Sequence, residues 1–277
     1  MSWGQWGKKL STSEMLDLIY FCIEHTITTF DHADIYGDYT TEAEFGKALV
    51  QSAGVRDKIQ LISKCGIQYI GKVRSNRVKH YDYSKNYIIG SVEKSLKNLQ
   101  TDYLDLLLLH RPSPLMNPVE IAEAIQRLKQ EGKILDFGVS NFTPLQTELI
   151  KSKVAVSVNQ IEVSLTHFSP LLDDSLDYMK LNKIKPMAWS PTGGYFKKEN
   201  AQNTRIKSEV TTLCKKYQVS ENQLLLAWLY KHPSKIIPVI GTTNKERIIA
   251  SVKAQSINLE LEDWFALMVA SQGHKVP

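Results

Sequence analysis

The stretch DYLDLLLLHRP, residues 102–112, decides the fold. A strand with one wet face alternates polar and apolar residues, whereas Leu106, Leu107, Leu108 and Leu109 are apolar on both faces. That pattern fits a strand buried in a parallel sheet. The run is far shorter than the roughly 18–20 residues of a membrane span, and it stops abruptly at His110 and Arg111.

Comparable β-branched or leucine-rich runs occur at 28–34, 59–64, 134–139, 154–161, 184–190 and 236–240. Helical periodicity fills the intervals at 12–25, 41–51, 85–99, 118–131, 144–152, 171–182, 206–217, 221–231 and 244–253. Ser11 with Glu14, and Ser220 with Gln223, have the spacing of capping boxes. Pro118 and Pro144 suit a first helical turn, and Gly132 sits where a helix should end. Strands that alternate with helices predict a parallel α/β architecture. An open dinucleotide-binding sheet should carry G-x-G-x-x-G after its first strand, and no such triplet occurs. The alternative is a (β/α)8 TIM barrel, which places functional residues at the C-terminal ends of several strands.

The strand ends fit the barrel. The first run continues into "FDHADIYG" with Asp31, Asp34 and Tyr36, and the second ends "LISKCG" at Lys64. His110 ends the leucine run, Ser140 and Asn141 end "FGVSNF", and Gln160 lies in "VNQIE". Trp189 and Ser190 end "MAWSP", and "IGTTNKERI" follows the last run. Singly, each has an ordinary reading, as a surface lysine, a structural histidine or a helix-capping Asp or Asn. Jointly they point to a site on one barrel face.

The residue types suggest the chemistry. Tyrosine, with an ordinary pKa near 10, is a poor proton donor at neutral pH, and a neighbouring ammonium lowers that value. An aspartate keeps the lysine charged and oriented, and a histidine can donate a hydrogen bond to a carbonyl oxygen. Such a set suits protonation of an oxygen as hydride reaches the adjacent carbon, and the hydride must come from a cofactor.

Bulk properties bound the function without naming it. The 277 residues are 43% hydrophobic and 23% charged, the composition of a soluble globular protein. "MSWGQWGKKL" lacks a signal peptide's apolar stretch. Cys22, Cys65 and Cys214 are odd in number and widely spaced, which suits a reducing cytoplasm and argues against a disulfide frame or structural zinc. The net charge of +5 concentrates only in "GKVRSNRVKHYDYSK" (71–85), read as a solvated loop or a lid over an anionic ligand rather than a nucleic-acid patch. The expected partner is a small-molecule carbonyl compound, with no nucleic acid and no membrane, for a monomer or weak oligomer.

"FDHADIYG", "LISKCG", "DYLDLLLLHRP", "GKILDFGVSNF", "VNQIE" and "IGTTNKERI" together resemble the aldo-keto reductase family, in its order and over nearly the whole chain. Within it the sequence is similar to the bacterial YdhF-like oxidoreductases, which share "DHADIYG", "SKCGI", "FGVSNFTP" and "PMAWS". The resemblance implies one barrel domain over 1–277 and a catalytic tetrad of Asp31, Tyr36, Lys64 and His110. Tyr36 would be the proton donor, tuned by Lys64 and Asp31, with His110 orienting the carbonyl. Ser140, Asn141 and Gln160 would hold the nicotinamide carboxamide, Trp189 would stack on its ring, and Ser190 would begin the pyrophosphate loop. Gly241, Thr242, Thr243 and Arg247, with Lys245 as an extra charge, match the segment that grips the adenosine 2′-phosphate. Hydroxyls with a guanidinium suit a phosphate, so NADPH is expected over NADH. Taken alone, Arg247 is more readily a helix-surface charge, and Asp34 reads as structural.

The sequence also departs from that pattern. Trp3 aligns with the tryptophan ending the family's first strand, so the N-terminal hairpin and most of that strand are expected to be missing. Edges at 28–34 and 236–240 would then be exposed. Ser251 stands where many relatives have asparagine, and Arg111 replaces an aromatic after His110. With only "GHKVP" after 260–272, segment 66–85 is expected to form part of the pocket rim. A second reading is a barrel that retains the cofactor but acts as a sensor with little turnover.

Overall fold

A computed structural model describes residues 2–197 and 199–277. The chain divides into two compact units, Met1–Asn159 and Gln160–Pro277. The first contains α1 (Thr12–Glu24), β1 (Thr29–Asp31), the one-turn α2 (Tyr36–Tyr39), α3 (Thr41–Leu49), β2 (Gln60–Cys65), β3 (Ile67–Gln68) and β4 (His80–Tyr81). It continues with α4 (Lys85–Leu99), β5 (Leu104–Leu109), α5 (Pro118–Gln130), β6 (Ile134–Ser140) and α6 (Pro144–Lys151). β7 (Val158–Glu162) straddles the boundary. The second unit holds α7 (Ser175–Leu181), β8 (Lys185–Trp189), α8 (Ala201–Tyr217), α9 (Glu221–Tyr230), β9 (Ile237–Val239), α10 (Lys245–Lys253) and α11 (Leu261–Gln272).

The main sheet runs β1-β2-β5-β6-β7-β8-β9, in chain order apart from the small β3-β4 hairpin. β1 pairs in parallel with β2, β2 with β5, β5 with β6, and β8 with β9. Sequential parallel strands separated by helices are the (β/α)8 barrel pattern, and the end strands are the two expected edges. The leucine run behaves as its composition requires: Leu107, Leu108 and Leu109 are fully buried on alternating sides of β5.

Local chemistry sets the element boundaries. Ser11 and Glu14 form a reciprocal capping box on α1, as Ser220 and Gln223 do on α9. A third box, Thr143 with Gln146, starts α6 alongside Pro144. α5 opens on Pro118 behind an Asn117 cap, and Gly132 follows its end in left-handed backbone (φ 68). Asn200 caps α8, so this helix begins ahead of the expected 206. In the second unit, the stacked indoles of Trp228 and Trp264 each donate to the other's backbone carbonyl, locking α9 to α11. Cys22 and Cys65 are buried and Cys214 is half-buried, all three as free thiols.

One expectation is corrected. The first strand is shorter than 28–34, although His32 N–H donates to the Ile62 carbonyl and Asp34 N–H to the Lys64 carbonyl, continuing the ladder beyond β1. Segment 66–85 contains the antiparallel β3-β4 hairpin, whose two-residue strands are too short to give a periodic signal.

Candidate active site

The first unit brings together Asp31, Tyr36, Lys64 and His110, and backbone register explains how. Asp31 faces Ile62 across β1-β2, Lys64 faces Leu108 across β2-β5, and His110 N–H donates to the Cys65 carbonyl. Asp31, Lys64 and His110 therefore arrive from three adjacent strand ends, and the loop after β1 adds Tyr36. The Lys64 Nζ donates to Asp31 Oδ2 at 2.6 Å, to the His32 carbonyl at 2.8 Å and to the Tyr36 hydroxyl at 3.3 Å. The His110 ring stands edge-on to Tyr36 with centroids 5.9 Å apart.

The Lys64 side chain is 1% exposed, so its charge must be compensated locally. Burial works against the ammonium, but Asp31 and Tyr36 outweigh it and raise the Lys64 pKa. Burial and the charges of Lys64 and Arg111 push His110 well below its ordinary range, leaving a neutral imidazole with one N–H to donate. Tyr36 differs from the sequence-based expectation. Lys64 does lower its pKa, but burial is the larger effect and the net shift is upward. The hydroxyl therefore stays protonated at neutral pH.

A second buried polar group lies beside this one. Asp34, which accepts from the Tyr87 hydroxyl at 3.5 Å, shares a small polar cavity with Glu42, Arg74, Tyr39, Ser91, Lys94, Ser95 and Asn98. Burial first, then the Glu42 carboxyl, pushes Asp34 up to about 8. Glu42 is raised as well, chiefly by burial, and accepts from the Ser63 hydroxyl at 2.6 Å. His32 is buried neutral against Phe45, 4.5 Å between centroids. Their backbone meets the tetrad, since Lys64 Nζ donates to the His32 carbonyl and Asp34 N–H donates to the Lys64 carbonyl.

Sequence reasoning missed the N-terminal loop. The half-exposed Trp6 ring lies 6.5 Å from that of Tyr36 and 5.2 Å from that of Tyr69. Trp3 is buried against Phe30 and Phe45 and anchors the loop that carries Trp6. The repeated aromatic-glycine spacing of "WGQWG" was the available signal.

Ser140 ends β6, and Asn141, the next residue, adopts left-handed backbone (φ 64) and its amide donates to the Ser140 hydroxyl at 2.8 Å. In the second unit Gln160 is buried in β7, Trp189 ends β8 half-buried, and the exposed Ser190 turns left-handed (φ 48). Gly241 follows β9, and Thr242 and Thr243 are half-buried. Thr242 Oγ1 accepts from Asn244 N–H at 3.1 Å, and Asn244 caps α10 by accepting from Arg247 N–H at 2.9 Å. Lys245 and Arg247 thus stand exposed in the first turn of α10, with the Thr242 hydroxyl one turn away. Cations, hydroxyls and a helix N-terminus make a donor set that fits a phosphate dianion. Ser251 donates to the Arg247 carbonyl at 2.7 Å and accepts from the Asn222 amide at 3.2 Å, filling a structural role one turn on. Among the described residues no cluster of His, Cys, Asp and Glu could hold a metal ion. No helix among them is long and apolar enough to cross a membrane.

The Aldo/keto reductase family model matches residues 1–269 and so spans both units. The chain is 45% identical to the uncharacterized oxidoreductase YcsN of Bacillus subtilis, over 96% of this chain and 91% of that protein. It is 38% identical to the oxidoreductase YdhF of Escherichia coli, over 99% and 93% respectively. Identity to a 6-dehydroglucose reductase of Agrobacterium fabrum is 40%, over 92% and 86%. An aldo/keto reductase from Klebsiella pneumoniae, crystallised in complex with NADP and acetate, superposes with a TM-score of 0.75 at 25% identity, over 96% of this chain and 87% of that one. The chain belongs to the Aldo/keto reductase family and has its barrel fold. It is an oxidoreductase.

Proposed function

We propose that this protein reduces the carbonyl group of an aldehyde or ketone to an alcohol with NADPH, and that Tyr36 supplies the proton. The observation that carries this reading is the buried chain of contacts Asp31–Lys64–Tyr36, with neutral His110 edge-on to Tyr36. The reading takes residues of both units as one domain over 1–277. NADPH supplies the hydride when bound. Ser140, Asn141 and Gln160 would hold its carboxamide, and Trp189 its ring. Ser190 would hold the pyrophosphate, and Gly241, Thr242, Thr243 and Arg247 the 2′-phosphate. NADP in the Klebsiella pneumoniae relative supports that choice.

The chain's own residues perform the proton chemistry. His110, kept neutral by burial and by Lys64, donates a hydrogen bond to the substrate oxygen and aligns it. As negative charge develops on that oxygen, the Tyr36 hydroxyl transfers its proton. The resulting phenolate is stabilised by Lys64, whose charge Asp31 maintains, so stabilisation grows as the transfer proceeds. Trp6 and Tyr69 offer aromatic edges beside the reacting carbonyl, and Arg111 adds positive potential, a combination suited to a hydroxylated substrate. The relative named 6-dehydroglucose reductase supports a sugar-derived aldehyde.

The test is NADPH oxidation by the purified chain with a panel of simple aldehydes, ketones and sugar aldehydes, 6-dehydroglucose included. The expected result is turnover with NADPH and weaker turnover with NADH. Tight NADPH binding without turnover of any carbonyl would favour the sensor reading instead.

A further inference from the structure

Three consecutive residues after Tyr36 adopt left-handed backbone: Gly37 (φ 64), Asp38 (φ 57) and Tyr39 (φ 69). Glycine takes this conformation freely and aspartate tolerates it, but for a bulky residue such as tyrosine it is an outlier that its surroundings must hold. Two side chains of the turn make the hold, and both reach segment 67–74. The Tyr39 hydroxyl donates to the Ile67 carbonyl at 3.4 Å and accepts from Tyr69 N–H at 3.1 Å. Asp38 Oδ2 accepts from Lys72 N–H at 2.7 Å, and its carboxylate fills the space where any side chain at Gly71 would have to go.

Arg74 closes the clamp from above. Its guanidinium lies 4.2 Å over the Tyr39 ring and donates to Gln68 Oε1 at 2.7 Å and to the Tyr87 hydroxyl at 3.1 Å. On the other side, a Cβ at Gly37 would collide with the hydroxyls of Thr40 and Thr41, so the turn packs closely there and only glycine fits. None of these bonds is made to Asp31, Lys64 or His110.

We infer that Asp38 and Tyr39 are positioning residues for the reaction: by fastening the left-handed turn to segment 67–74 they hold the Tyr36 hydroxyl against the Lys64 ammonium. This rests on Tyr36 being the proton donor. At 3.3 Å the Tyr36–Lys64 hydrogen bond is already long, so a small relaxation of the next three residues would break it. The same clamp holds Tyr69, and with it Trp6, at the rim beside Tyr36.

Tyr39→Phe removes the two hydroxyl bonds and leaves the ring under Arg74. Asp38→Gly removes the bond to Lys72 and leaves a residue at ease in left-handed backbone, so it should fold. Asp38→Asn keeps an acceptor oxygen and tolerates the conformation. For each variant we would measure the pH profile of kcat for NADPH-dependent reduction, the NADPH Kd and the melting temperature. Tyr39→Phe and Asp38→Gly are expected to lower kcat roughly ten- to hundredfold. Their alkaline limb should move to higher pH, with NADPH Kd unchanged and Asp38→Asn restoring the wild-type limb. The limb moves because, of the groups facing Tyr36 (Lys64, Asp31, His110 and Arg111), the clamp secures the contact with Lys64, which lowers the Tyr36 pKa. A wild-type limb in both variants, with any loss of rate matched by loss of folded protein, would overturn the inference. Tyr36→Phe run in parallel separates the two readings. If it remains active, the proton-donor role itself fails; if it is inactive while Tyr39→Phe and Asp38→Gly behave as wild type, only the clamp fails.

Discussion

The tetrad of the first unit and the segment of the second proposed to hold a phosphate solve opposite problems. Lys64 is buried, its charge is met by Asp31 at 2.6 Å, and the Tyr36 hydroxyl lies 3.3 Å away. Arg247 and Lys245 stand exposed on the first turn of a helix. Proton transfer gains from low dielectric and fixed geometry, because a preorganised charge need not reorganise as the reaction proceeds. A site that must admit and release a phosphate dianion would gain from exposure to water and from a helix terminus beside exposed cations. The comparison teaches that substitutions in the two regions should separate cleanly, chemistry in one and cofactor affinity in the other.

The largest way to break that separation is Lys64→Met. Methionine fits the buried space but leaves Tyr36 without its ammonium and Asp31 without its partner. The expected loss in kcat is roughly 10²–10⁴-fold, with NADPH affinity little changed. Because Lys64 lowers the Tyr36 pKa, any residual activity should show an alkaline limb moved upward. A parallel loss of NADPH binding would show that the two regions are not independent.

Next comes Arg247→Ala, which should weaken NADPH binding about ten- to hundredfold through loss of a charge-assisted contact, while kcat at saturation holds. NADH, which lacks the 2′-phosphate, should be nearly unaffected, and raising ionic strength should shrink the difference. Equal effects on both cofactors would assign Arg247 to the helix surface.

The smallest effect sharpens the comparison by testing burial itself. Asp34 has a folded pKa of about 8 against an ordinary carboxyl near 3.8, so the folded state holds its proton more tightly than the unfolded state does. Its contribution to stability is complete below about pH 4 and is lost as the pH rises through about 8. Asp34→Asn cannot ionise. Its unfolding free energy should decline less between pH 5 and 8 than that of the wild type, by an amount on the order of a few kcal/mol at most, as read by denaturant titration at each pH. Glu42, raised in the same direction, keeps some decline in the variant. Identical pH dependence in the two proteins would mean that Asp34 is not buried as described.

Much of this was legible because its causes are local. The leucine run of β5, the capping boxes at Ser11 and Ser220, and the polar residue closing each strand are short-range signals, and apart from β1, β7, α7 and α8 the helices and strands expected lie close to their limits. The tetrad could be read because the family resemblance singles out Asp31, Tyr36, Lys64 and His110 among the polar residues that strand ends in a parallel sheet bring together. The net rise of the Tyr36 pKa was not legible, since a residue type carries no measure of its burial. The β3-β4 hairpin was invisible because two residues cannot show alternation. The left-handed turn was hidden for a different reason: "GD" after Tyr36 signals a turn, but the conformation of Tyr39 depends on Ile67, Tyr69 and Arg74, which are distant in sequence.

The central claim is that Tyr36 delivers the proton from a site already charged by Lys64. It is tested most directly by the NADPH-dependent reduction rate of Tyr36→Phe, with NADPH affinity measured on the same sample. The account predicts a fall in kcat of at least about a hundredfold with NADPH affinity within roughly a factor of two of the wild type. Undiminished turnover by the phenylalanine variant would contradict it.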